Sequence, residues 1–473
     1  MKARKFLLAG VTAGLALALA SCGGGKRQAN YVVPEGGLDT SKEMTIEFYH
    51  TMGTNLQAIL QTAIDKFQAD YPNIKINSQQ IGNYDAVRNQ ISTEIPQGLE
   101  PDIAYCYPDH VALYNRANAV VQLDNLINDP TYGFTQEQLD DFVPGYYAEG
   151  KQFGDDLMYT IPFSKSTEVL YYNKTVFDEN KWSVPGTWQE IMELCRTIKN
   201  MKNEDGSTKY PNVIPLGIDS EANLFITLCE QTGSAYTTAS GSNHFLFDNA
   251  ENRSYVQKFL EWYQEGLFTT QTILTTYTSS LFTAYDPATY NNGSNTKYSF
   301  MSIGSTGGAA HQYPSNKSFE VDVTAIPTWE NGEFKVISQG PSLCILNKED
   351  NPQRVLASWI FIKDYLLDTD FQAAFSNASG YNPVLNSVYT KGNLADKGTY
   401  ADWLATGNGK SADGLAALTA KKSSEFIDNY YTSPAFNGSS KARDQVGALF
   451  VAAITETKTI DKAFRDAILE CED

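Results

Sequence analysis

At 473 residues the chain is longer than one hydrophobic core ordinarily organises, so two domains are expected. Its aromatic content (28 Tyr, 24 Phe and 6 Trp) and ordinary apolar share exclude a disordered chain. A net charge of −19 excludes nucleic acid as a partner, since a phosphate backbone needs clustered Lys and Arg, and it argues against electrostatic docking on an anionic membrane.

Lys2, Arg4 and Lys5 precede an apolar run, Phe6 to Ala20, too short to span a bilayer comfortably. The run ends in Leu19-Ala20-Ser21-Cys22, which resembles the bacterial lipobox. That resemblance implies a lipoprotein signal peptide over residues 1–21 and lipidation of Cys22. The mature protein would then sit at the extracytoplasmic face of the cell membrane, held by acyl chains and not by a transmembrane helix. Residues 22–42 are Gly-rich and polar without periodicity and read as a flexible tether. The remaining cysteines, Cys106, Cys195, Cys229, Cys344 and Cys471, form no Cys-x-x-Cys pair, and the chain has only four His. No metal or other cofactor is expected, and buried free thiols are the default.

Met44 to Tyr49 reads as a strand, and Leu56, Ile59, Leu60, Ala63, Ile64 and Phe67 follow at helical spacing until Pro72. Ile74 and Ile76 alternate as the next strand, giving a β-α-β unit and a parallel pair. Ligands in such sheets meet the loops beyond the strands' carboxyl ends, which nominates His50 to Asn55, although a lone His there is more often a surface residue. A second helix carries Tyr84, Val87, Ile91 and Ile95, and the strand Asp102 to Cys106 delivers Tyr107-Pro108-Asp109 to the same edge.

Tyr159 to Lys174 starts as an apolar strand, breaks at Pro162 into Ser164, Ser166 and Thr167, and resumes as Val169 to Tyr172. Such a strand either crosses between domains or is an edge strand with a polar kink, and Pro162, which cannot donate to a central ladder, belongs near a sheet edge or outside a ladder. Further on, Thr187 and Glu190 make a capping box with Trp188 directed to the core, and residues 269–299 read as a polar surface loop. Phe300 to Gly308 is a strand entering a Gly-rich turn. Ser305 there serves either an anion or an ordinary cap.

The segments YPNIKIN, GNYDAVRNQI, PDIAY and IPFSKSTEVLYYNK, followed by PGTWQEI, resemble the family 1 extracellular solute-binding proteins of ATP-driven importers. Within that family they are most similar to binders of glycerol-3-phosphate and its diesters. The resemblance implies an α/β, two-lobe periplasmic-binding-protein-like fold (type II), each lobe a mixed, mainly parallel sheet flanked by helices, joined by hinge strands. The N-terminal lobe would take residues 43–162 and 300–341, and the C-terminal lobe 163–299 and 342–473, with a second crossing near Gly340. Ligand contacts carried over by motif are Tyr84, Ser166, Ser305, Gly340, Tyr381 in Gly-Tyr-Asn-Pro-Val, and Arg443 as the partner of a phosphate. One departure is Pro108 where the family's glycerol-phosphate binders hold a Glu; either Asp109 substitutes from the next position or the polyol end is read differently, for instance as a sugar.

These readings imply a monomeric, lipid-anchored binding component. It would trap a glycerol phosphate or a saccharide between its lobes and deliver it to the transmembrane subunits of an ABC permease. A secreted glycosidase or phosphodiesterase is the competing class, but no local motif proposes its paired carboxylates. A binding protein that feeds a sensor would share every feature.

Overall fold

The computed structural model describes residues 30–293, 295–347 and 351–472; the leader, Cys22 and the start of the tether lie outside them. From residue 30 the chain is not a free tether. Tyr31 is buried and donates its hydroxyl to the Pro352 carbonyl at 2.7 Å, and the Asp39 amide donates to Gln353 at 2.7 Å. A single apolar ring in a polar stretch has no periodicity, which is why the docking is silent in the sequence.

The first lobe begins with β1 (Met44–His50), α1 (Thr54–Asp70) and β2 (Ile74–Gln80). Leu60, Ala63, Ile64 and Phe67 make the buried stripe of α1, each large side chain contributing ~2 kcal/mol by leaving water. The helix ends at Tyr71 because the residue before Pro72 is pushed out of helical geometry. Then come α2 (Tyr84–Glu94), β3 (Ile103–Cys106) and α3 (Pro108–Asn115). Pro108 suits the first helical position, where an N–H would be unpaired anyway. α4 (Pro144–Glu149) and β4 (Ile161–Pro162) complete this passage.

The second lobe holds β5 (Glu168–Asn173), α5 (Trp188–Asn200), β6 (Leu216–Ile218), α6 (Glu221–Thr232), α7 (Ala250–Gln264), β7 (Phe268–Thr270), β8 (Met301–Ser305) and β9 (Val321–Ala325). The Thr187–Glu190 capping box is formed and Trp188 is buried. Residues 269–299 are less polar in effect than their composition. Two short helical turns occur there, and Phe282, Tyr285 and Tyr298 are buried around Phe300.

The chain then returns through β10 (Ser342–Ile345), α8 (Pro352–Phe361), α9 (Thr369–Ser379) and α10 (Ala412–Ser424), and ends in α11 (Ser439–Ile454) and α12 (Ile460–Glu472). One sheet has the order β2-β1-β3-β10-β4 and the other β7-β6-β8-β5-β9. Each contains two parallel and two antiparallel pairings, so the parallel share is half and not the majority expected.

The lobe boundaries differ from the sequence expectation. β8 and β9 flank β5 antiparallel, with Glu168 opposite Ser305, so residues 301–325 belong to the second sheet. β10 pairs with β3 and β4, which places it with α8 and α9 in the first lobe, where Trp359 and Phe375 share a core with Phe48. α10 touches both cores, Leu415 the second and Ala417 and Ala420 the first, and α11 and α12 pack Phe450 and Phe464 into the second. An apolar strand fits either sheet by pattern, and only its partner decides.

The lobes are thus joined by three segments. Ser166 and Gln339 exchange backbone bonds of 2.8 and 2.7 Å, aligning the outgoing and returning crossings. Pro162 lies on the edge strand β4, as its missing N–H demands. The third segment runs between α10 and α11, where Tyr430–Tyr431 pairs parallel with Val336–Ile337. Gly340 has φ of 96°, and a Cβ there would overlap the Ser164 carbonyl and stand 2.8 Å from the Lys165 Cα. Gly340→Ala is therefore expected to cost about 1–3 kcal/mol of strain, read as a lower urea midpoint at unchanged slope.

Candidate binding cleft between the lobes

A cavity of about 210 Å³ lies where the crossings meet, with walls from both lobes. The first lobe supplies Tyr84, Arg88, Tyr107, Asp109, His110 and Glu149, the second supplies Tyr236, Thr237, Ser440 and Arg443, and the returning crossing supplies Gln339. The third crossing adds Thr432 to Ala435.

The tyrosine wall follows from two helix starts. Asn83 caps α2 by accepting from the Ala86 amide at 2.9 Å, which sets Tyr84 at the first helical position. β3 ends at Cys106 and places Tyr107 just before α3, with ring centroids of Tyr84 and Tyr107 4.7 Å apart. The Tyr84 hydroxyl lies 3.4 Å from that of Tyr381. Burial raises the pKa of Tyr84, Tyr107 and Tyr381, so their hydroxyls stay protonated and able to donate. Asp109 lines the cavity in the first turn of α3, where its carboxylate accepts from the His110 amide at 2.9 Å.

Arg443 comes from the first turns of α11. Its Nη2 donates to Asn223 Oδ1, and among the described residues no carboxylate lies within 4.0 Å of its guanidinium. Asn223 is the hub of a buried amide network: its Nδ2 donates to Glu168 at 2.8 Å and to Gln339 at 2.9 Å, and its Oδ1 accepts from Gln339 at 2.9 Å. The cation in the cleft is thereby linked to Gln339 on one crossing and to Glu168 beside the other.

Burial pushes the Glu168 carboxyl up to about 7, against the pull of Asn223 and Arg443. The folded protein then keeps a proton that the unfolded chain releases near 4.5. Stability should therefore fall as pH rises from about 4.5 to about 7, by at most ~1.4 kcal/mol per pH unit for this group. Glu168→Gln should flatten that part of the profile, measured by urea unfolding of both proteins across the window. A parallel decline in parent and variant would assign the slope to other groups.

The seven residues nominated from sequence are placed differently. Tyr84, Asp109 and Arg443 line the cavity, and Tyr381 stands behind Tyr84. Ser166 is buried in the crossing itself, and Gly340 offers its carbonyl to Lys165 Nζ at 3.0 Å. Ser305 caps the 3₁₀ turn Thr306–Gln312 by accepting from the Gly307 amide at 3.2 Å. That turn closes on the crossing, with the Thr306 amide donating to the Thr167 carbonyl at 2.9 Å, which favours the capping role over an anion site. His50 is buried at the end of β1, its Nδ1 accepting from the Met52 amide at 3.1 Å, and it is not among the cavity's lining residues.

Arg88 was not nominated, although it stands one turn after Tyr84 on the same helix face. Gln339, Tyr236, Thr237 and Thr432 carry no local signal. Four lining residues also hold a buried polar atom with no protein partner among the described residues: His110 Nδ1, Thr237 Oγ1, Ser338 Oγ and Ser433 Oγ. Buried polar atoms are normally paired, so such a set around one cavity marks where a polar molecule belongs.

Comparisons with known proteins bear on this geometry. The sn-glycerol-3-phosphate-binding periplasmic protein UgpB of Escherichia coli K12 is 27% identical over 158 residues, 33% of this chain and 35% of that protein. The matched stretch thus spans about a third of that relative. The crystal structure of UgpB from Mycobacterium tuberculosis in complex with glycerophosphocholine superposes with a TM-score of 0.64 at 18% identity, covering 91% of this chain and 98% of that one. The sugar-binding protein MalE of Xanthomonas citri gives 0.67 at 17% identity, covering 90% and 96%. These structures share the two-lobe fold. The family profile of the bacterial extracellular solute-binding proteins matches residues 62–406, and the chain belongs to that family.

Proposed function

We propose that this protein is the lipid-anchored binding component of an ABC importer and that it captures a small polyol carrying an anionic group. Glycerol-3-phosphate or a glycerophosphodiester is the reading favoured. The observation that carries it is Arg443: a guanidinium on the cavity wall whose described bond is to a neutral amide and not to a carboxylate. Asp85, Asp109 and Asp444 also line the cavity, but among the described residues none is in ion-pair contact with this guanidinium, which leaves it able to take an anionic ligand. The unpaired hydroxyls of Thr237, Ser338 and Ser433 suit a polyol's own hydroxyls, and the tyrosines suit its carbon skeleton. Closure of the lobes about the three crossings would trap the solute and present a closed form to the permease.

A neutral saccharide is the second reading, favoured by the same hydroxyl set and tyrosine wall. Isothermal titration of refolded, ligand-stripped protein with glycerol-3-phosphate, glycerophosphocholine, maltose and glucose separates the two. One-to-one binding of a phosphate compound is expected; binding of a sugar alone would keep the transport role and discard the anion. The anchor is tested separately, by metabolic labelling with an alkyne fatty acid. Incorporation should be lost in Cys22→Ala.

A further inference from the structure

Arg88 lines the same cavity as Arg443, from the opposite lobe. The spacing of α2 puts Val87 and Ile91 in the core and Tyr84 and Arg88 on the cleft. Arg88 Nη1 donates to Ser440 Oγ at 2.9 Å, a bond that joins α2 of the first lobe to α11 of the second. Its Nε donates to Asn89 at 3.2 Å. The ion pair with Asp85 at 3.2 Å is weak compensation, because the Asp85 side chain is 63% exposed and screened by water. Asp444, which lines the same cavity and feels the field of Arg88, makes no ion pair with it among the described residues. These bonds use Nε and Nη1, so among the described residues the Nη2 edge is free for another oxygen. Arg88 and Ser440 also line the open groove outside the cavity, so their bond forms part of the wall between the two. The fields of both arginines reach His110. Burial chiefly opposes its protonation, with Arg88 and Arg443 adding to that, while Asp109 and Asp85 favour it.

Resting on the anionic reading above, we propose that Arg88 is a specificity-determining residue: it and Arg443 clamp the ligand's anionic group from opposite lobes, and the Arg88–Ser440 bond marks the seam along which the cleft closes. A guanidinium offers a planar fork that an ammonium lacks, so Arg88 recognises an oxyanion by shape as well as charge. The clamp is complete only when the lobes are closed. Losing Arg88 should then speed ligand release and erase the preference for charged over neutral solutes.

The test uses the refolded protein with glycerol-3-phosphate as probe, by titration of parent, Arg88→Gln, Arg88→Lys and Ser440→Ala. Arg88→Gln should weaken binding about 30-fold or more, as expected when one partner of a desolvated charge contact is removed. Arg88→Lys should fall between that variant and the parent, and Ser440→Ala, which keeps both cations, should lose less than tenfold. In the parent, ligand should protect Arg88 from arginine-selective dicarbonyl labelling mapped by mass spectrometry, a readout that needs no variant to fold. Arg88→Gln within threefold of the parent, or Arg88 labelled equally with and without bound ligand, overturns the clamp while leaving the transport reading intact. A parent that binds no anionic compound overturns the clamp together with the anionic reading, and leaves the transport role to be decided by the sugars.

Discussion

Lys165→Met is expected to cost the fold about 3–5 kcal/mol, the range for removing one partner of a buried ion pair. Lys165 sits in the outgoing crossing with its side chain fully buried, and Glu149 at the end of α4 is nearly so. Its Nζ donates to Glu149, to the Gly340 carbonyl at 3.0 Å and to Ser342 Oγ at 3.0 Å, which accounts for all three ammonium donors. One side chain thus ties the outgoing crossing, the returning crossing and the first lobe together. Met keeps the length but leaves Glu149 buried without its cation. The double variant Lys165→Met/Glu149→Gln removes the orphaned charge and should recover at least half of the loss. Urea unfolding of the two single variants, the double variant and the parent forms the thermodynamic cycle. A loss below ~1 kcal/mol for Lys165→Met would mean that water reaches the pair in solution, and the crossing would have to be held by its backbone bonds alone.

This ion pair also illustrates what the sequence could and could not convey. The stripe of α1, the capping box at Thr187 and the edge position of Pro162 are local matters of periodicity and backbone chemistry, and they are readable within a few residues. Tyr84 and Arg88 share a helix face by spacing alone, so Arg88 was within reach of the same logic. Glu149 and Lys165 are 16 residues apart across a turn-rich segment, and Glu168 and Asn223 are 55 apart. No periodicity links such partners; they meet because sheets on either side of the crossings bring them together. The lobe assignment of β8, β9 and β10 failed for the same reason. Each is a short apolar strand that would bury equally well in either sheet, and its place is set by hydrogen-bonding neighbours far away in the chain. Motif resemblance reached Tyr84 and Arg443 on the cavity wall, and the departure at Pro108 pointed to Asp109 beside them, but the same motifs also returned Ser166 and Gly340, which serve the crossings.

Arg443→Ala should lower affinity for glycerol-3-phosphate by ~2–5 kcal/mol while leaving the fold within ~1 kcal/mol of the parent. The asymmetry follows from its partners. Removing the guanidinium takes one donor from Asn223 Oδ1, but that oxygen keeps the Gln339 amide at 2.9 Å, and the Asn223 bond to Glu168 is untouched. The folded network therefore remains satisfied. The ligand has no such reserve, because its anion would enter a half-buried site facing Asp109 and the protein's overall negative charge with one cation fewer. For a neutral sugar the same change removes hydrogen bonds without leaving a charge unpaired, so the loss should stay near the ~0.5–1.5 kcal/mol of an ordinary hydrogen bond. Titrating parent and variant with glycerol-3-phosphate and maltose, alongside urea unfolding, separates these cases. A small change for whichever solute the parent binds tightly would remove the anion from the reading and leave the hydroxyls of Thr237, Ser338 and Ser433 as the groups that select the solute.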